Sequence, residues 1–331
     1  MKGFLLPFFF LYQKISQIRN IFYDHQILKL KKVELPVISV GNLSFGGSGK
    51  TPFTIALAED LVRNGYKTAI LSRGYKGLWE KKGGIVSNGK EILCSWREAG
   101  DEAFLIAKNL PQAGVFVGKN RVISAEKAIK LGFEIIILDD GFQYRHLARD
   151  VDLVLVNPSN NYFLREPLSS LKRADIVLFR EEIDLEMANR IKLFNPNIRF
   201  SKYSLNRLNF IDLNESSIIP IDAFYGKKAL VFCGIANPLR FKKDLEEMGI
   251  NIKYFLNFPD HYSYPEFTIA NIIEKRKELK TDLLLTTEKD AIKWKEYRLS
   301  NIPIYYLKIK IDLAEDFSNI ILSLLDMRGE S

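Results

Sequence analysis

The sequence predicts an α/β protein with a mostly parallel sheet, built in two units, and with an amphipathic helix at its N-terminus. Short apolar runs rich in β-branched residues alternate with helix-period segments. That alternation weakens once, across residues 195–225, where a boundary is expected. The first thirty residues repeat apolar side chains at helical spacing among basic ones. Nearly continuous apolar strands are buried on both faces, as in a parallel sheet covered by helices.

The 331 residues are 47% hydrophobic and 27% charged. Those are globular proportions, which exclude a collagen-like, mucin-like or wholly disordered chain, and the length suits two domains. Lys and Arg total 48 against 40 Asp and Glu, a net charge of +8. This excess favours anionic partners. Only Cys94 and Cys233 are present, without metal-ligand spacing. A disulfide framework and a cysteine zinc site are therefore not expected, and a reducing compartment is. With only His25, His146 and His261, a histidine-rich metal site is not expected.

The first element is a helix within residues 1–32. Leu11, Ile15, Ile18 and Phe22 follow one another at spacings of 4, 3 and 4. Within residues 1–34, Lys2, Lys14, Arg19, Lys29, Lys31 and Lys32 outnumber Asp24 and Glu34. No stretch reaches the ~18–20 apolar residues that span a bilayer. No small-residue cleavage site follows the apolar run, which argues against a signal peptide. A basic amphipathic segment of this kind is expected to lie in a membrane interface. The alternative is a helix packed on the protein's own core.

Next come a strand at 36–40, a helix at 53–62, and strands at 68–71, 115–117, 135–138, 153–156 and 176–179. The second unit reads as strand 229–232, helix 238–248, strand 252–258, helix 265–279, strands 283–285 and 302–311, and helix 314–325. The expected division is residues 1–32 as the interfacial helix, 33–215 as a nucleotide-binding domain, and 216–331 as a smaller α/β domain closing over the site. The last helix is allowed to pack back on the first domain.

The sharpest motif runs from Ser44 through Phe45, Gly46, Gly47, Ser48, Gly49 and Lys50 to Thr51. It fits the phosphate-binding loop G-x-x-x-x-G-K-[ST] except that Ser44 replaces the first glycine. A strand precedes it and a helix follows. The glycines let main-chain N–H groups approach phosphate oxygens, and the helix presents its positive end to the same anion. Lys50 is placed to reach the β- and γ-phosphates and Thr51 to bind Mg²⁺. Pro52 suits the first helical turn. A second motif, the apolar run Ile135–Leu138 ending in Asp139-Asp140-Gly141, has the Walker B form, in which a carboxylate at a strand end holds Mg²⁺. Together they predict a P-loop nucleoside-triphosphatase-type domain. Guanine-specific signatures are not met: Asp139-Asp140-Gly141 lacks the D-x-x-G spacing, and Thr287-Glu288-Lys289-Asp290 misplaces the lysine. An ATP-using kinase or a general ATPase is left.

The combination resembles the tetraacyldisaccharide 4′-kinases of lipid A biosynthesis. The resemblance rests on Val40-Gly41-Asn42, Gly46–Pro52, Ser72-Arg73-Gly74-Tyr75, Gly100-Asp101-Glu102, Gly118 with Arg121, and Leu138–Gln143 with His146. It continues through Leu164–Leu168, Lys172–Asp175, Gly234–Pro238, Phe258–His261 and Thr287–Asp290. Ala103 and Tyr262 depart from the usual proline and histidine. The resemblance implies transfer of the ATP γ-phosphoryl group to the 4′-hydroxyl of a tetraacylated glucosamine disaccharide 1-phosphate, forming the lipid A precursor lipid IVA. It also implies a peripheral enzyme on the cytoplasmic face of the bacterial inner membrane. Its cofactors would be ATP and Mg²⁺.

By that resemblance, Asp101 is the base for the acceptor hydroxyl, paired with His261. On residues alone, Asp101 reads first as a helix N-cap and His261 as a turn residue. Lys50 and Asp140 join the catalytic set, with Asp140 ordering a metal-bound water or the lysine. Thr51 and Asp139 are the expected metal ligands. Arg73, Arg121, Arg165 and Arg173 are candidates for substrate phosphate, because the guanidinium fork suits phosphate oxygens; each is equally a structural ion pair. Glu102 and Glu166 join the polar network, and Lys289 with Asp290 reads equally as a helix-start ion pair. A monomer is expected, with no nucleic-acid partner. The competing reading is a membrane-surface ATPase that switches a protein partner.

Overall fold

The computed structural model describes residues 6–44, 49–157, 164–297, 299 and 302–329, with side chains from residue 13 to 327. The chain divides into two compact units. One runs up to Leu205 and resumes at Ile311; the other is Asn206–Lys310.

The first unit begins with α1 (Leu6–Asp24) and continues through β1 (Val37–Asn42), α2 (Lys50–Arg63), β2 (Thr68–Ser72), β3 (Gly84–Asn88), α3 (Trp96–Ala99) and α4 (Asp101–Asn109). It proceeds with β4 (Gly114–Val117), α5 (Arg121–Lys130), β5 (Ile135–Asp139), β6 (Val151–Val156), β7 (Ile176–Arg180) and α6 (Leu185–Lys192). Strand β8 (Arg199–Asp212) leads into the second unit. The strand order is β8-β7-β6-β1-β5-β2-β4-β3, parallel except for the antiparallel pair β3–β4. Val40 pairs with Asp139 on one side of β1, and Ile38 pairs with Val151 on the other. The chain order therefore reverses around β1, so the loops after β1 and β5 open beside each other at the carboxyl ends of the strands. That is the switch point at which open α/β sheets bind ligands.

Burial explains the strand pattern. Every residue of β1, β2, β5 and β6 is buried, as a sheet covered on both faces requires. Helix α2 buries Phe53, Leu57 and Leu61 against this sheet. The last helix, α10 (Phe317–Gly329), belongs to the same unit and adds Phe317, Ile321 and Leu324 to the same core. The Phe53 ring meets Tyr203 and Phe317 edge-on, at 5.5 and 5.9 Å between centroids.

The second unit contains β9 (Ile218–Ile219), β10 (Lys228–Cys233), α7 (Pro238–Glu247), β11 (Asn251–Asn257), α8 (Glu266–Glu278), β12 (Leu283–Thr287), α9 (Glu288–Trp294) and most of β13 (Ile304–Leu313). Its strands are ordered β11-β10-β12-β13 and are parallel.

The division falls about ten residues before the expected 215/216. The region 195–225, where the alternation weakens, holds the 14-residue β8, which runs through the division, and the short β9.

Helix α1 is amphipathic in an inverted sense. Ser16 and Asn20 are buried, whereas Ile15, Ile18, Ile21 and Phe22 are 58, 52, 50 and 42% exposed. The docked face is polar. Gln13 donates to the Leu164 carbonyl at 2.7 Å, Arg19 to the Gln143 carbonyl at 3.0 Å, and Asn20 to the Glu166 carboxylate at 2.8 Å. Asp24 accepts from Arg145 at 2.7 Å and Lys172 at 2.8 Å. Among the described residues, no helix is long and apolar enough to cross a membrane.

Candidate active site

The site starts at the end of β1. Gly49, at φ 79°, is the N-cap of α2, a left-handed backbone that glycine adopts without strain. Lys50 follows as the first helical residue. Its ammonium donates to Asn42 Oδ1 at 3.0 Å and lies 3.3 Å from Asp140 Oδ1. Asn42 is held in turn, because its Nδ2 donates to the Ser44 carbonyl and its own carbonyl accepts from Gln143 Nε2, both at 2.8 Å. A Cβ on Gly41 would meet Phe142 Cβ at 2.4 Å, so β1 and the turn after β5 can come this close only with glycine there. Ser44 is buried. Phe45, Gly46, Gly47 and Ser48 lie outside the described residues.

Asp139, at the end of β5, is buried and accepts from Thr54 Oγ1 at 3.2 Å and Ser72 Oγ at 3.3 Å. Burial pushes its carboxyl up to about 7; the charges of Glu102 and Asp140 add to the rise, and Lys50 and Arg121 oppose it. Asp140 sits at φ 52° and is held oppositely. Its enclosure works against ionisation, but Lys50, Arg165 and Arg121 together hold it well below the usual carboxylate range. One Arg165 nitrogen donates to both Asp140 oxygens at 2.9 Å. Adjacent carboxylates thus have divergent affinities for a proton.

Arg121 opens α5 and is buried. Its guanidinium stacks on the Tyr144 ring at 4.6 Å, and its backbone N–H donates to the Tyr144 hydroxyl at 3.0 Å. Burial pulls its affinity for a proton down, while Asp140, Tyr144 and Asp139 oppose that pull. Arg73, half exposed, donates to Glu80 at 2.6 Å. Asp101 is the first residue of α4, with Gly100 as the N-cap at φ 83°. It is buried and accepts from the Glu102 backbone N–H at 2.9 Å. A Cβ on Gly100 would lie 2.8 Å from the Tyr75 carbonyl oxygen, so this glycine packs the start of α4 against the loop that carries Arg73.

Lys50, Asp139, Asp140, Arg121 and Arg165 therefore converge, and Glu102 is near enough to bear on Asp139. Arg173 is placed elsewhere. It donates to the buried Glu166 at 2.9 Å and lies 4.4 Å over the Phe142 ring. Asn42 and Gln143, which fix the Lys50 ammonium, carry no spacing signal of their own. In the second unit, His261 follows β11 at φ 63°, with Nε2 3.3 Å from Lys289 Nζ.

Among the described residues, no group of three or more His, Cys, Asp or Glu side chains forms a ready metal cage. Mg²⁺, however, takes only one or two protein ligands beside substrate phosphates and water. Asp139 fits such a role: its hydrogen bonds come from neutral hydroxyls, so the buried carboxylate calls for a cation. Thr51, partly buried in the first turn of α2, has the matching hydroxyl.

A family model described as tetraacyldisaccharide-1-P 4′-kinase matches residues 1–326. A tetraacyldisaccharide 4′-kinase of Aquifex aeolicus is 38% identical over 335 residues, which span 97% of this chain and 98% of that protein. One of Desulfotalea psychrophila is 36% identical over 344 residues, spanning 98% and 97%. A crystal structure of LpxK from Aquifex aeolicus in complex with ATP aligns with a TM-score of 0.77 at 35% identity, covering 98% of this chain and 99% of that one.

Proposed function

The chain belongs to the tetraacyldisaccharide-1-P 4′-kinase family, and from that premise we propose how its own residues divide the work. It is a phosphotransferase that moves the γ-phosphoryl group of ATP to the 4′-hydroxyl of a tetraacylated disaccharide 1-phosphate, in the making of lipid A.

Phosphoryl transfer asks a protein for positioning and charge neutralisation more than for covalent chemistry. The observation that carries the assignment of roles is the Lys50 ammonium fixed between Asn42 and Asp140 at the start of α2, beside the buried Asp139. Lys50 neutralises β- and γ-phosphate oxygens. The positive end of α2 adds to its charge. Asp140 holds the lysine in place, and Arg165 holds Asp140. Asp139 and Thr51 would hold Mg²⁺, which when bound supplies further charge neutralisation at the phosphates. Asp101 accepts the proton of the attacking hydroxyl, with His261 assisting. Arg73 and Arg121 bind acceptor phosphate. Arg173, together with Glu166, positions α1.

The acceptor is a lipid, and α1 suits one. Its polar face is used for docking on the first unit, and its outward face offers Ile15, Ile18, Ile21 and Phe22. We assign this face to the cytoplasmic surface of the inner membrane, where large apolar side chains and nearby lysines both favour binding.

The test is incubation of full-length protein with γ-labelled ATP and the disaccharide 1-phosphate, followed by thin-layer separation. Label is expected in the lipid, and Asp101→Ala is expected to lower kcat about 10²–10⁴-fold with ATP binding retained. ATP consumption that ignores the lipid would overturn the reading, and unchanged turnover in Asp101→Ala would remove the base assignment.

A further inference from the structure

The ring of His261 is held by an arrangement that reaches back to the start of α9. The residue has a left-handed backbone, φ 63°, and its side chain is largely enclosed. Its backbone N–H donates to the Gly234 carbonyl at 3.1 Å. The Gly234 N–H donates to Asp290 at 3.0 Å, and the same buried carboxylate accepts from Thr287 Oγ1 at 2.7 Å. Asp290 thus ties the His261 turn to the β12–α9 junction. Lys289, its neighbour on α9, reaches the ring itself. Lys289 Nζ lies 3.2 Å from Asp260 Oδ1 and 3.3 Å from His261 Nε2.

An ammonium has three donors and no acceptor, and in a neutral imidazole one nitrogen donates while the other accepts. The nitrogen facing Lys289 must therefore be the one with the lone pair. Asp260 Oδ1 accepts from the same ammonium. The competing arrangement would put the proton on Nε2 and direct it at Asp260 Oδ2. That oxygen is 3.6 Å away, beyond hydrogen-bond reach.

We propose that Lys289 is a positioning residue that sets the tautomer of the His261 ring, with the proton on Nδ1 and the Nε2 lone pair facing the ammonium. The ring then carries its donor at Nδ1, while its Nε2 lone pair faces the ammonium. His261 acts by orienting an acceptor such as a carboxylate, rather than by taking a proton at Nε2. The importance of this for the reaction rests on the proposed role of His261; the tautomer itself does not.

The test is a long-range ¹H–¹⁵N correlation spectrum of uniformly labelled full-length protein, with the His261 signals assigned by their loss in His261→Gln. The expected pattern is a protonated Nδ1 and an unprotonated Nε2. Lys289→Arg, which also only donates, should keep that pattern. Lys289→Met should give a mixture containing the Nε2–H form, and lower kcat about tenfold, a fraction of what acid–base assistance contributes, with KM for ATP unchanged. A wild-type Nε2 that carries the proton would overturn the proposal, as would a Lys289→Met spectrum identical to wild type. The expected spectra together with full turnover in His261→Gln would support the tautomer and overturn the catalytic role of His261 instead.

Discussion

Lys50 Nζ lies 3.3 Å from Asp140 Oδ1, and Arg165 grips the same carboxylate at 2.9 Å to each oxygen. One carboxylate thus shares two cations, and its φ of 52° turns it back toward the start of α2. Asn42 and Asp140 between them fix the direction of the lysine, and a charge fixed by protein groups spares a transfer step reorganisation cost.

Neutralising that carboxylate should misdirect Lys50 without unfolding the unit. Asp140→Asn is expected to lower kcat on the order of 10²–10³-fold, the scale of losing one preorganised electrostatic contact. Lys50→Ala should lose transfer altogether. Steady-state kinetics beside ATP titration separate the effects, and near-normal kcat in either variant would contradict the assignment.

Asp139 makes stability depend on pH in the opposite sense to an ion-paired carboxylate. Burial raises its folded-state pKa from an ordinary 3.8 to about 7. Between those values the folded chain binds more protons than the unfolded one, so this group's contribution falls as pH rises through the window and is level above it. In metal-free, nucleotide-free protein, Asp139→Asn should be more stable than wild type at pH 8 by on the order of 4 kcal/mol, at roughly 1.4 kcal/mol per pKa unit. The gap should close toward pH 4, while turnover is lost. Thermal melts of both proteins across that range, in chelator, check it. A wild type that is the more stable of the two at pH 8 would refute the account.

Glu166 joins α1 to the turn that ends in Arg173. It is fully buried and takes Asn20 Nδ2 at 2.8 Å and Arg173 at 2.9 Å. Removing one side of a buried pair leaves an uncompensated charge, so Glu166→Ala should cost about 3–5 kcal/mol. Amide exchange should rise across residues 13–24. Pairing it with Arg173→Met should recover part of the loss, because the stranded charge goes with it. Urea titrations of the three variants distinguish this from simple loss of packing, for which the double variant would be the worst.

The parts of the fold legible in the sequence were those where one chemical requirement dominates. Val37–Val40 and Ile135–Leu138 read as strands because a sheet covered on both faces tolerates little else there. Lys50 and Asp139 stand out in the sequence because phosphate and metal chemistry constrain residue type at fixed spacing, and the structure brings the two side by side at the ends of β1 and β5. Strand β8 escaped notice: its sequence, with Ser201, Lys202, Ser204, Asn206 and Arg207, keeps few side chains buried, so no alternation marks it. Asn42 and Gln143 were present in quoted motifs, yet an amide that braces a lysine leaves no periodic trace. Lys289 and Asp290 read as a pair from their adjacency. In the structure Lys289 turns to Asp260 and His261, while Asp290 turns to Thr287 and Gly234. Helical spacing located the stripe of α1 but says nothing about what covers it.

What covers that stripe can be tested without disturbing how α1 docks. Ile15, Ile18 and Phe22 lie opposite Ser16 and Asn20 on the helix, so changing them spares the bonds to Leu164, Gln143 and Glu166. Deleting residues 1–22 would not, since it removes Asn20 along with the apolar face. A large apolar side chain contributes about 1.5–3 kcal/mol when fully buried, and these begin about half-covered, so each retains on the order of 1 kcal/mol to gain from lipid. Ile15→Asp with Ile18→Asp forfeits both contributions and adds two charges that an interface repels. Binding to vesicles containing anionic lipid should weaken by more than tenfold, as read by flotation, and wild-type binding should fall with added salt because Lys14 and its neighbours contribute roughly 1 kcal/mol each near such a surface. Melting temperature should stay at the wild-type value, and turnover of a short-chain, water-soluble acceptor should also be unchanged, while turnover of acceptor embedded in vesicles drops. Equal flotation of the double variant and wild type would mean that some other surface of the protein holds the membrane.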